Sequence, residues 1–286
     1  METLVPRKLL NQLRQTLEKE TGWLYTPNRL NDLERGIRAV AAENDFTGVQ
    51  ECLRWLLDGS LDEKKLADLV KHLTIGETYF FRDETVFKSL RYSVLPELIE
   101  KRRRAGTRFL KLWCAGCCTG EEAYSLAILL HELLPDFDEW SIQIMASDIN
   151  REYLAKARQG VYSNWSFRGL DEAFKQRYFQ TDGNNWRIDR RFRGAVKFDY
   201  LNLIDGHLLY DELDLKDIDL TFCRNVLIYF DAGAASRVIT DLAFSLADSG
   251  HLLLAPSELL NVPENQFEYI YDSGAIYLKK RSALTV

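Results

Sequence analysis

Apolar residues in the first quarter of the chain return every three or four positions. Leu9, Leu10, Leu13 and Leu17 form one such set, followed by Leu30, Leu33, Ile37 and Val40, then Val49, Leu53 and Leu56, then Leu66, Leu69, Val70 and Leu73. This is the period of amphipathic helices. Polar breaks at Thr21-Gly22, Pro27-Asn28, Asn44-Asp45 and Asp58-Gly59 separate them. Residues 1–72 are therefore expected to be a small all-helical domain, and 73–286 a second domain.

From about residue 107 the pattern changes to strand and helix in alternation. Strands are expected over 108–114, 141–146, 217–223 and 251–255. Helices are expected over 121–134, 151–159 and 232–248, the last stopped by Gly250. Such alternation builds a parallel sheet covered on both faces. Two runs, 267–271 and 275–279, flank Asp272-Ser273-Gly274 and read as a hairpin closing one edge. Between about 170 and 200 the alternation fails. Arg177–Gln180, Trp186–Ile188 and Ala195–Phe198 read as three short strands of an inserted antiparallel subdomain. The run Lys101–Arg104 reads as a solvated helix end.

Composition narrows the class. With 286 residues, 46% of them hydrophobic, the chain can bury a full core. It has no run of eighteen apolar residues and no signal-peptide pattern, so a soluble cytoplasmic protein without membrane insertion is expected. Five cysteines, an odd number without framework spacing, suit reduced thiols. Cys114, Cys117 and Cys118 lack a second ligand pair at zinc spacing, so no metal is expected. The net charge of −6 argues against nucleic acid as a partner.

Candidate chemistry gathers where strands end. Trp113–Gly120 is a strand running into a glycine loop, and Glu121 and Glu122 follow at once. A helix start normally favours phosphate through its free N–H groups and dipole. Two carboxylates there repel phosphate and favour a ligand with a sulfonium and ribose hydroxyls, a description that S-adenosylmethionine meets. Gly116 and Gly120 permit close backbone approach. Asp148 ends the next strand, where a carboxylate commonly takes ribose hydroxyls. Glu122 has a second reading as the acid of a capping box begun by Thr119. Thr78 and Arg82 lie in Leu73–Asp83, whose aromatic triplet Tyr79-Phe80-Phe81 reads either as core or as a wall sheltering a cation. Arg82 could clamp a carboxylate or pair with Asp83 or Glu84. A third apolar strand ends in Arg224-Asn225, with Tyr229 shortly after.

Together the stretches Thr74–Arg82, Trp113–Ser125, Ala146–Asp148, Asn202-Leu203 and Phe222–Asp231 resemble the chemotaxis receptor methyltransferases, the CheR family. The resemblance implies an α/β class I S-adenosylmethionine-dependent methyltransferase, a Rossmann-like doubly wound sheet with an N-terminal helical domain and an inserted antiparallel β-subdomain. It implies cofactor contacts at Thr78, Arg82, Glu122, Asp148, Asn202, Leu203 and Asn225; Gly76, Gly116 and Arg224 stand beside them and are counted in the same site. It puts Arg82 and Tyr229 beside the reacting methyl group, and makes S-adenosylhomocysteine the product. The reaction it implies is transfer of methyl to glutamate side chains on the cytoplasmic helices of chemoreceptors. A glutamate with pKa near ~4.3 is already a nucleophile at neutral pH, so no strong base is required. Competing readings are a methyltransferase for a small acid and an inactive cofactor-binding module.

Three departures from the family pattern stand out. Gly76 replaces a frequent asparagine. The turn at 182–185 is short, which argues against gripping a receptor's C-terminal peptide tether. The second helix, usually basic, carries Arg35 and Arg38 on one face with Arg29 pointing away, and Asp32 and Glu34 dilute the charge.

Overall fold

The computed structural model describes residues 5–206, 210 and 212–281. Four helices open the chain: α1 (Arg7–Thr21), α2 (Leu30–Glu43), α3 (Val49–Leu57) and α4 (Glu63–Leu73). Each buries the apolar stripe that its spacing predicts. Next come α5 (Glu84–Ser89) and one π turn, which the sequence reading did not include, and α6 (Leu95–Arg104), which ends in the Lys101–Arg104 run read as a helix end.

A seven-stranded sheet then forms. Its strands are β1 (Phe109–Ala115), β2 (Ser141–Asp148), β6 (Val196–Tyr200), β7 (Ile218–Phe222), β8 (Leu246–Leu253), β9 (Phe267–Asp272) and β10 (Ala275–Lys280). Their order is β6-β2-β1-β7-β8-β10-β9. The first five are parallel, and the β9–β10 hairpin closes the edge antiparallel. Helices α7 (Glu121–Leu133), α8 (Arg151–Gln159) and α11 (Ala232–Ser245) connect them.

Alternate residues of β1 face two cores. Leu110, Leu112 and Cys114 pack with α5, α6 and α7 on one side of the sheet. Trp113 and Ala115 pack on the other side, in one cluster with the buried stripes of α1–α4 and α11. The N-terminal helices thus share their core with a face of the sheet.

Two sequence expectations are corrected here. The small antiparallel sheet has the order β3-β5-β4, built from β3 (Val161–Tyr162), β4 (Phe179–Asp182) and β5 (Asn185–Ile188). Arg177 and Tyr178 close the helix α9 (Glu172–Tyr178) instead. Of the run at 195–198, Ala195 closes α10 (Arg190–Ala195) and the rest belongs to β6, the parallel edge strand of the main sheet. Alternating polarity marks any strand with one wet face, so it cannot say which sheet an edge strand joins. The second correction concerns Gly250, which lies inside β8 and does not stop a helix; a Cβ there would approach the Ile218 carbonyl to 2.8 Å.

Candidate active site

The chain crosses from the β2–β6 side of β1 to the β7–β8 side, so the loops after β1 and β7 diverge. Ligands of open α/β sheets sit in the crevice at such a reversal. Register sharpens this. Cys114 pairs with both Ala146 and Phe222, and Ala146 pairs with Phe198, so four strand ends lie on one transverse row. Gly116, Asp148 and Arg224 each stand two residues beyond it.

They line a cleft of about 830 Å³, open solvent included. Thr78, Arg82, Glu122, Asn202, Leu203, Asn225 and Tyr229 line it as well. Gly76 does not. Its neighbours Ile75 and Glu77 do, while Gly76 packs on Tyr153, whose hydroxyl would stand 2.8 Å from an added Cβ. Tyr153 lines the cavity itself and was missed in the sequence. So were Trp23 and Arg29, which come from the loop between α1 and α2.

One wall is the β1–β2 side. Gly116 (φ 71°) turns the chain after β1, and the Gly116 and Cys117 amides donate to the Ser147 carbonyl at 2.8 and 2.9 Å. Asp148 Oδ2 accepts from Cys118 N and Oδ1 from Asn150 N, both at 2.8 Å. Burial pushes the Asp148 carboxyl up to about 6 against those backbone donors.

The paired acids part company at the start of α7. Glu121 accepts from Thr119 Oγ1 at 2.7 Å and from Ser166 Oγ at 2.9 Å. Glu122 is not the acid of a capping box, because the helix is capped by Gly120 without a side-chain hydrogen bond. Its Oε1 is buried and has no partner. Burial raises its pKa to about 7, with Arg224 and Arg82 pulling the other way.

Arg82 is held at a strained turn. Phe81 (φ 55°) and Asp83 (φ 70°) on either side adopt the left-handed region, which bulky residues rarely do. Phe81 N donates to Ser125 Oγ at 2.9 Å, and Asp83 accepts from Arg224 Nη2 at 2.6 Å. Arg82 itself donates to the Glu77 carbonyl and pairs with neither Asp83 nor Glu84. The aromatic triplet is not a wall of the cavity. Phe80 stacks on Phe167 at 5.0 Å and Phe81 meets Phe87 and Phe174, so the triplet is core and flank behind the turn.

The opposite wall is made of two loops fastened together. Leu24 N donates to the Tyr229 carbonyl at 2.8 Å, and Asp231 N to the Gly22 carbonyl at 2.9 Å, so the chain after α1 runs antiparallel to the segment carrying Tyr229. Beneath it lies Glu258, buried and unsignalled in the sequence. Its Oε1 accepts from Val226 N and Leu227 N, both at 2.8 Å, and its Oε2 from Ala255 N at 2.6 Å. This shapes the turn at Asn225 (φ 59°).

Three residues lining this cavity each keep a buried polar atom with no partner: Thr78 Oγ1, Glu122 Oε1 and Arg224 Nη1. Orphaned buried polar groups are costly, and a ligand that supplies their partners removes the cost. A hydroxyl, a carboxylate and a guanidinium N–H together fit S-adenosylmethionine, which offers ribose hydroxyls, an ammonium and a carboxylate. Among the described residues no cluster of His, Cys, Asp and Glu could hold a metal ion, and no helix is long and apolar enough to cross a membrane.

Comparison with known proteins agrees with this geometry. The family model described as CheR methyltransferase, SAM binding domain, matches residues 76–275. Chemotaxis protein methyltransferase Cher2 of Pseudomonas putida is 30% identical over 282 residues, covering 94% of this chain and 97% of that protein. Chemotaxis protein methyltransferase 1 of Pseudomonas aeruginosa is 34% identical over 222 residues, 74% of this chain and 77% of that one. The chain belongs to the CheR methyltransferase family and is an S-adenosylmethionine-dependent methyltransferase of chemotaxis.

Proposed function

We propose that the chain methylates glutamate side chains on the cytoplasmic helices of chemoreceptors, forming methyl esters, and that it works in the cytoplasm. The observation that carries this reading is the meeting, in one cavity, of the three orphaned polar atoms with Arg82 and Tyr229 and with no histidine among the described lining residues. When bound, S-adenosylmethionine supplies an electrophilic methyl carbon, which a carboxylate oxygen takes while the sulfur keeps the electrons of the broken C–S bond. No proton moves in that exchange, which suits a cavity with no histidine among its described lining residues.

What remains for the protein is positioning and the exclusion of water. Thr78, Glu122, Asp148, Asn202, Leu203, Arg224 and Asn225 hold the cofactor in this reading, with Gly116 giving the backbone room to approach. Arg82 orients the incoming carboxylate, and the Tyr229 hydroxyl donates a hydrogen bond to it.

The test is incubation of the protein with tritiated methyl donor and a chemoreceptor cytoplasmic fragment, followed by assay for base-labile methyl esters. Label on the fragment is expected. Label found only on small acids would sink the receptor reading while leaving the methyltransferase intact.

A further inference from the structure

Arg29 differs from the other cations at the start of α2. Arg35 pairs with Asp32 and Arg38 with Glu34, each at 2.7 Å on the helix's own surface. Arg29 has no carboxylate partner among the described residues. It ends a short 3-10 turn, Pro27–Arg29, and lines the cavity. Its Nη1 donates to the Leu24 carbonyl at 3.0 Å, and its guanidinium carbon lies 5.1 Å from the ring centroid of Tyr25 and 5.2 Å from that of Tyr229. A guanidinium carries five N–H donors in a fork that matches a carboxylate, and Arg29 uses one of them.

Arg82 is the second such group. It too lines the cavity with a single carbonyl acceptor and no carboxylate partner among the described residues. Burial raises the Tyr229 phenol, and Arg29 and then Arg82 oppose the rise, so both charges act on the same hydroxyl. Two guanidinium groups and a phenol facing one cavity are the donor set for a carboxylate.

Two carboxylates could come there, that of the substrate side chain and that of the cofactor's amino-acid end. Position favours the first. Arg224 and Glu122 are almost fully buried and each keeps an unpartnered polar atom, which suits the enclosed cofactor in the reading above. Arg29 and Tyr229 are half-buried, on the loops of the outer wall.

We infer that Arg29 is a specificity-determining residue that receives the substrate's side-chain carboxylate together with Arg82 and Tyr229, so that the segment before α2 is part of the active site. This rests on the receptor-glutamate reading above.

The experiment uses the full chain as wild type, Arg29→Gln and Arg29→Lys, with a receptor cytoplasmic fragment as methyl acceptor and S-adenosylhomocysteine affinity measured by calorimetry. Arg29→Gln is expected to raise KM for the fragment by about tenfold or more, with kcat changed less and S-adenosylhomocysteine affinity within about twofold. Arg29→Lys keeps the charge but not the fork, and a rise of about threefold is expected. Should Arg29→Gln fail to fold, the KM of Arg29→Lys decides alone, a rise supporting the inference and no change overturning it. Loss of S-adenosylhomocysteine affinity in step with KM would place the cofactor's carboxylate on Arg29 and overturn it. A fall in kcat alone would reduce Arg29 to a prop for Tyr229 and overturn it as well. If wild type forms no ester on the fragment, the receptor-glutamate reading fails first and the inference goes with it; a working wild type with unchanged variants refutes the inference alone.

Discussion

The two walls of the cavity are built on different principles. The β1–β2 wall is an extension of the sheet, in which the Gly116 and Cys117 amides donate to the Ser147 carbonyl and the Cys118 amide to the Asp148 carboxylate just past the paired strand ends. The opposite wall, from Gly22 to Arg29 and from Val226 to Asp231, is loop against loop, held by a short antiparallel clamp and the carboxylate of Glu258. The first is fixed by strand pairing, since its neighbours in space are neighbours in register. The second depends on contacts between residues some 200 positions apart, so single side chains there should govern turnover more than cofactor affinity.

Breaking the substrate side should have the largest effect. Arg82→Ala is expected to cost about a hundredfold or more in kcat/KM while circular dichroism stays that of the wild type. Retention of full activity would remove Arg82 from its assigned role.

Glu258→Ala attacks the outer wall from behind. It strands three N–H donors, two of them buried, and a loss of about 2 kcal/mol is expected, read as a fall in Tm of roughly 4–8 °C. Receptor methylation should fall further than S-adenosylhomocysteine affinity; equal losses would erase the distinction between the walls.

Glu122→Gln probes the sheet-borne wall. Binding of S-adenosylhomocysteine should weaken by about tenfold, roughly 1.4 kcal/mol. Stability of the cofactor-free protein carries a second signature. Because the folded-state pKa of Glu122 is raised from 4.5 to about 7, the folded chain keeps a proton that the unfolded chain has released, and stability falls as pH rises through 7. The variant has no such group, so its Tm should gain on that of the wild type between pH 5 and pH 8. Parallel Tm profiles would contradict the raised pKa.

Gly22→Ala should have the smallest effect, about 1 kcal/mol. Gly22 sits at φ 71° with Phe230 and Ala234 side-chain atoms 3.0 Å from an added Cβ, so the substitution loosens the clamp from the α1 side. A modest drop in Tm with a matching rise in KM for receptor is expected, and an unchanged KM would uncouple the clamp from the substrate side.

The contrast between the walls also separates what could be read early from what could not. Glycines 116 and 120, the acids behind them and Asp148 are local signals, since a strand end, a tight turn and a helix start each impose residue types on adjacent positions. The parallel strands β1, β2 and β7 follow from strand–helix alternation, and the helical stripes of α1–α4 from their period. Even so, alternation could not tell the wet edge strand β6 from a strand of the small sheet, and Gly250 has the same residue type whether it ends a helix or bulges a strand.

What the chain by itself determined is therefore the N-terminal helices, the central strands and helices, and the side chains at the ends of those strands, because periodicity and turn chemistry act between near neighbours. The tertiary structure alone decided which of two adjacent glutamates is satisfied, Glu121 by Ser166 and Thr119, and which faces the cavity without a partner. It alone brought Trp23, Arg29, Tyr153 and Glu258 to the site. Those four carry no local signature, since a tryptophan, an arginine, a tyrosine or a glutamate becomes a site residue only when packing over long sequence separations gives it something to face.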